Sequence, residues 1–254
     1  MADTAQNNEQ RTPGFAALKA HVIAHKIEFG LWATRLMTIF FCFNYFIPLF
    51  TGNAYQCFYK ALMANAATSA LRLHQRLPRV SLTREFLAQL LAEDSAHYLV
   101  YSLIFLYAQP MTIALLPCAL FAVLHAASYS LTLLDLLGQN SWWGARMLIS
   151  LVELQSRNIL RMAAFSEIFL MPLVVLFVFF GRVSLVTPFM YYRFLGLRYA
   201  SRRNPYTRSM FHELRLALEE AARNPRFPEG ARNLVHKFIE MVSRFAPVQE
   251  APAQ

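Results

Sequence analysis

The sequence predicts an all-α, polytopic helical membrane protein: helical hairpins in the bilayer, followed by cytosolic amphipathic helices at the C-terminus. Three observations carry this. Residues 95–134 form a run of forty without Asp, Glu, Lys or Arg; a bilayer crossing takes about 20 apolar residues, so the run has room for two arms. Of the 254 residues, 56% are hydrophobic and only 15% charged, against the roughly 25% charged residues of soluble domains. The net charge of +9 is concentrated in the segments between the apolar runs, which is the pattern of the positive-inside rule.

Taken in order, residues 1–30 form a polar tail, with a short amphipathic helix over 15–29 presenting Leu18, Val22 and Ile23. No basic, apolar leader pattern opens the chain, so no cleaved signal peptide is expected. Residues 31–197 form the membrane domain. Its first arm, 31–50, is uncharged from Leu36 onwards, and Arg35 snorkels to the near surface. Pro48 and the Thr-Gly-Asn of 51–53 mark a turn. Residues 54–71, with Lys60 as their single charge, read as a second, less apolar arm or alternatively as an interfacial helix. Residues 72–94 are polar: Pro78 ends one helix, and Ser81 or Thr83 caps the next. The charge-free run follows, with its turn at Gln109-Pro110 and a kink at Pro117.

Residues 135–161 read as a polar loop in which Trp142 and Trp143 anchor at the interface. Residues 163–181 are the next arm, with Glu167 near its start and Arg161 or Arg35 as its expected ion partner. Gly181-Arg182 breaks the run, and 183–197 is a last arm interrupted by Pro188 and Arg193. Residues 198–254 are basic and cytosolic. Arg198, Arg202, Arg203 and Arg208 form a juxtamembrane cluster suited to anionic lipid. Residues 206–222 are amphipathic. In 230–246, Leu234, Val235, Phe238, Ile239, Val242 and Phe245 share one face at helical spacing, a face for the membrane surface, a partner or the protein's own helices.

Charge decides between topologies. With hairpin tips at 51–53, 109–111 and 181–183, residues 1–30, 72–94, 135–162 and 198–254 all lie on one side and hold 20 of the 24 Lys and Arg. Both termini are then cytosolic. A three-span arrangement would split these segments across the membrane. Several arms, at about 13–18 residues, fall short of a full hydrocarbon core, so short paired arms that enter from the cytosolic leaflet without fully crossing would widen it like a wedge.

Other functional classes find little support. Cys42 and Cys118 lie in apolar runs, which is not a disulfide framework. His21 and His25 stand four apart without a third ligand, and Glu93, Asp94 and His97 share a helical face without a second copy elsewhere, so no metal or cofactor is expected. The intramembrane polar residues His97, His125 and Glu167 are the set a transporter or membrane enzyme would use, but partner pairing inside the bundle is the commoner role. No P-loop, nucleophile elbow, zinc-protease motif or nucleotide fingerprint occurs. Nucleic acid is not expected to bind directly, since lipid phosphate is nearer to the basic tail.

Three stretches are more specific: ALMANAATSALRLHQRLP at 61–78, SEIFLMP at 166–172 and YYRFLGLRYASRRNPYTR at 191–208. Together with the opening MADT, they resemble the transmembrane protein 33 family, also called the Krüppel homologue 2 family. The resemblance implies a non-enzymatic, multi-pass protein of the endoplasmic reticulum membrane and nuclear envelope. It further implies shaping of the tubular reticulum beside reticulon-type proteins, and a link to nuclear pore membrane. The alternative it implies is a regulator of a membrane channel or an unfolded-protein-response sensor, working through helix faces such as that of Ala64, Ala67 and Ala70. The family's C-terminal amphipathic region would fall on 230–246.

Overall fold

Each apolar run of the sequence becomes a helix whose ends are set by local chemistry. The computed structural model describes residues 14–48, 53–77, 80–81, 83–139, 141–201, 204–223 and 228–243; of residues 231, 234, 238 and 241–243 it describes the backbone. Among these, eleven helices and no strands occur. They are α1 (Phe15–Ala24), α2 (Lys26–Phe46), α3 (Ala54–Arg76), α4 (Arg84–Ala92), α5 (Asp94–Leu106), α6 (Thr112–Leu137), α7 (Trp143–Glu153), α8 (Ser156–Phe179), α9 (Val186–Ala200), α10 (Pro205–Arg223) and α11 (Glu229–Ser243).

The expected punctuation operates. Asn53 caps α3 by accepting from the Gln56 N–H at 3.3 Å, and Thr83 caps α4 through the Phe86 N–H at 3.2 Å. Two glycines in the left-handed region stop the two long apolar helices. Gly138 (φ 70) ends α6, with its N–H on the Asp135 carbonyl and that of Gln139 on Leu134, both at 3.0 Å. Gly181 (φ 66) ends α8 in the same way, through Val178 at 3.0 Å and, from Arg182, Phe177 at 2.9 Å. This paired bonding satisfies carbonyls that a helix end would leave bare.

Three expectations need correction. Residues 135–161 are not a loop: α7 occupies their middle, and α8 starts at Ser156, because the polar turn 156–162 extends the helix beyond its apolar part. Helix α3 runs on to Arg76, in keeping with a helix ended by Pro78. Pro188 does not interrupt the last arm. It is the third residue of α9, inside the first turn, where no intrahelical N–H bond is lost. The arms are also unequal. Helices α2, α3, α6 and α8 have 21, 23, 26 and 24 residues, whereas α5 and α9 have 13 and 15.

At 1.5 Å per residue the four long helices span roughly 32–39 Å and the two short ones about 20–22 Å, against a hydrocarbon core of about 30 Å. On length and hydropathy together, α6 and α8 qualify as spans.

The three hairpin tips gather at one end of the bundle. The Tyr59 hydroxyl, near the start of α3, donates to the Ala108 carbonyl at 3.0 Å. The hydroxyls of Tyr45 (α2) and Thr112 (α6) lie 2.9 Å apart. The Gln109 N–H reaches the Arg182 carbonyl at 3.4 Å, joining the second tip to the third. The opposite end collects the charge. There Gly14 N–H bonds the Leu136 carbonyl at 2.9 Å, fixing α1 beside the end of α6, and Arg161 meets Glu213 at 2.7 Å, fixing α10 beside the start of α8.

Helix α2 packs along α3, α3 along α5, and α6 against α8 and α2. Helices α5 and α6 are joined by side chains more than by backbone proximity: Tyr101 OH donates to the Ala114 carbonyl at 2.7 Å, and the Tyr98 and Phe121 rings meet edge to face at 5.0 Å. The core is aromatic and small by turns, with Phe58, Leu62, Phe105, Ala114, Cys118, Leu170 and Phe194 all buried. Large apolar side chains also cover the outside: Phe40, Phe43 and Phe46 on α2, and Phe165, Phe169, Leu176 and Phe179 on α8, are exposed. An apolar core inside an apolar belt is what lipid-facing helices require, since lipid offers no penalty to exposed Phe and Leu.

Candidate functional site

Where α5 begins and α9 ends, the interior holds an ion-pair network. Glu167, near the middle of α8, is 0% exposed, and Arg198, in the last turn of α9, is 1% exposed. Arg198 grips the carboxylate with both arms of its fork: Nε to Oε2 at 3.0 Å and Nη2 to Oε1 at 3.1 Å. Its remaining nitrogen, Nη1, donates to Asp94 Oδ1 at 3.1 Å, and Ser201 Oγ donates to the same oxygen at 3.0 Å. Tyr98 OH donates to Glu167 Oε1, and Tyr191 OH donates to the Glu167 backbone carbonyl at 2.7 Å.

The guanidinium lies over the faces of Tyr98 and Phe121, at 5.1 and 5.9 Å from their centroids. An aromatic cage of this kind stabilises a cation through the ring quadrupoles. A bidentate pair with further donors is also the geometry in which buried charges can meet their desolvation cost.

Two other polar groups sit beside this pair, each with its own partner. Glu93 takes Arg76 at 3.2 Å. His97 is 1% exposed and bonds through Nε2 to the Leu91 carbonyl at 2.7 Å, with Nδ1 at 3.7 Å from Asp94. The face of Glu93, Asp94 and His97 is thus divided among three jobs. Among the described residues no group of three or more His, Cys, Asp or Glu is placed to hold a metal ion. The arrangement ties α5, α8 and α9 together at one depth, and the polar atoms of Arg198, Glu167, Asp94 and Tyr98 are directed at one another.

The chain matches the family model described as Transmembrane protein 33/Nucleoporin POM33 over residues 10–248. It belongs to that family. Krueppel homolog 2 of Drosophila melanogaster is 51% identical over 240 residues, covering 94% of this chain and 86% of that protein. Transmembrane protein 33 of Homo sapiens is 46% identical over 248 residues, 97% of this chain and 99% of its own. Tetra-spanning protein 1 of Schizosaccharomyces pombe is 24% identical over 186 residues, 69% and 66% of the two chains. No solved structure matches. The family is one of membrane proteins whose description carries a nuclear pore link.

The residues singled out in this Transmembrane protein 33 family member from sequence distribute unevenly. Arg198 leaves the expected surface cluster: its charge is spent inside, on Glu167 and Asp94. Glu167 pairs with neither Arg161 nor Arg35; Arg161 faces Glu213 instead. The missed signal was spacing. Tyr191, Leu195 and Arg198 recur at i, i+4 and i+7, so Arg198 shares the face that α9 buries. Arg208 is exposed on α10, while Arg202 and Arg203 lie outside the described residues.

His125 is exposed on α6 and stacks on Phe121 at 6.3 Å. Val235 and Ile239 are half-buried on α11, which lies against α10. The side chains of Leu234, Phe238 and Val242, and all of Phe245, are outside the described residues. The helix before it, α10, turns Met210, Phe211 and Leu214 onto the core, so its apolar face is covered by the protein itself. On α3, Ala64 is buried, whereas Ala67 and Ala70 are exposed.

Proposed function

We propose that this chain is a non-enzymatic shaping and organising protein of endoplasmic reticulum and nuclear envelope membrane, with its charged end and both termini in the cytosol. The observation that carries this reading is the asymmetry of the bundle. Among the described residues its tip end carries no further helix, whereas α1, α7 and α10 gather at the charged end. There α7 exposes Trp143 and Met147, with the exposed Trp142 just before it and Leu154 just beyond it. A helix with apolar side chains free at headgroup level lies in the interface and occupies area in one leaflet alone. The short helices add to this: α5 starts and α9 ends about 20 Å from the tips, so polar groups reach deep on that side and favour a locally thin bilayer.

The four long helices fit the name of the fission yeast relative, Tetra-spanning protein 1, with α5 and α9 as shorter inserts between them. Lipid bilayer and anionic lipid are the direct partners in this reading. Reticulon-type proteins and nuclear pore membrane proteins are the protein partners, in keeping with the nucleoporin in the family's description. The exposed Ala67 and Ala70 favour a second reading, in which α3 packs on a helix of a regulated channel or stress sensor.

Reconstitution into phosphatidylcholine liposomes over a series of protein-to-lipid ratios tests the first reading. Dose-dependent tubules are expected, reduced several-fold by Trp142→Ser with Trp143→Ser at equal insertion. Unchanged vesicles bearing inserted, folded protein would move the assignment to the second reading.

A further inference from the structure

A second cluster of charge lies outside the ion-pair network and has no counter-charge among the described residues. Arg35 follows Thr34 on α2, Arg72 stands one turn beyond Thr68 on α3, and His125 is five residues before Ser130 on α6; the charge of Arg72 reaches Arg35, and those of both reach His125. The three helices are held close at this level. Thr68 Oγ1 donates to Thr34 Oγ1 at 2.8 Å, Gly30 brings α2 against Leu71 with 3.3 Å left for a Cβ, and Trp32 Nε1 donates to Ser130 Oγ at 2.9 Å. Arg35 and Arg72 are half-buried and His125 is exposed at the edge. No carboxylate among the described residues pairs with any of them. This is unlike Arg198, whose charge is met twice. Two like charges held together in an apolar wall are costly unless an anion joins them.

We propose that Arg35, Arg72 and His125, converging from α2, α3 and α6, form a binding site for the phosphate of an anionic membrane lipid. Depth supports a lipid over a free ion. Arg35 is three residues deeper than Trp32, roughly 4.5 Å, below the interfacial aromatic level and within reach of a headgroup phosphate. Arginine forks match phosphate oxygens two at a time. Directly along α2 from Arg35, Leu36, Met37 and Phe40 are exposed, so an acyl chain has an apolar track leading away from the headgroup. The proposal rests on the bilayer placement of the bundle and is independent of whether the protein bends membrane.

The test uses the full chain in phosphatidylcholine nanodiscs doped with phosphatidylserine or a phosphatidylinositol phosphate, with native mass spectrometry of retained lipid. The wild type is expected to keep one anionic lipid. Arg35→Gln with Arg72→Gln should bind it about twenty-fivefold less tightly, at roughly fivefold per basic residue, while Arg84→Gln, at an exposed position on α4, leaves it unchanged. Removing two mutually repelling charges should not unfold the bundle, and circular dichroism checks this.

A second measurement needs no variant: a phosphatidylserine analogue with a diazirine on its acyl chain should label the peptide 36–40 of the wild type. Equal retention by the double variant, labelling spread evenly over the belt, or full displacement by millimolar inorganic phosphate would each overturn the lipid site.

Discussion

Arg198 and Glu167, 31 positions apart in sequence, meet at 3.0 Å with neither exposed by more than 1%. This contact joins the two arms of the last hairpin, and Asp94 extends it to the start of α5. Because α5 and α9 are short, the pair lies level with their charged-side ends, about 18 Å along α8 from the third tip. It therefore acts as a bolt at the depth where the bundle changes from six helices to four.

Breaking one side of the bolt should cost more than removing it. Glu167→Gln or Arg198→Met alone leaves a buried charge without its partner, an expected loss of about 3–5 kcal/mol. The double change E167Q with R198M should recover at least half of that. Thermal unfolding of the purified protein in detergent reads both, and equal losses in singles and double would show that the charges contribute packing alone.

Gly181 provides a local test of the third tip. Its φ of 66 is reached at a cost of roughly 1–2 kcal/mol by an L-residue, and a Cβ there meets nothing within 4 Å. Gly181→Ala should therefore lower stability by about 1 kcal/mol through backbone strain, and Gly181→Asn by less, since Asn tolerates this region. Identical Tm values for the Ala variant and the parent would contradict the strain.

All three native cysteines, Cys42, Cys57 and Cys118, are buried, so the parent should resist a membrane-impermeant maleimide in intact microsomes. Single cysteines placed at Arg84 and Ser209 should label from the cytosolic side. One at Tyr107, which is 92% exposed at the tip end, should remain unlabelled until the membrane is permeabilised. Cytosolic labelling of Tyr107→Cys would reverse the proposed orientation.

The chain has three tryptophans, and Trp32, Trp142 and Trp143 all sit towards the charged end. Lipids brominated near the headgroup should accordingly quench the intrinsic fluorescence more than lipids brominated near the acyl terminus, by about twofold or more under the shallow placement typical of interfacial indoles. Stronger quenching from the bilayer centre would remove α7 from the interface.

By itself, the sequence determined the class of the protein, the number of arms and the side on which charge collects. Forty residues without a formal charge admit only membrane helices, and Gln109-Pro110 and Gly181 mark turns through backbone chemistry that does not depend on distant neighbours. The capping of α4 by Thr83 was legible for the same reason. The tertiary structure decided which charges are spent inside. Arg198 reads as one member of a basic run until α9 is seen to turn it onto Glu167. The 156–162 segment reads as loop until Arg161 finds Glu213. Partner choice among arginines depends on which helices come side by side, and long-range packing sets that, while composition and spacing act only along the chain.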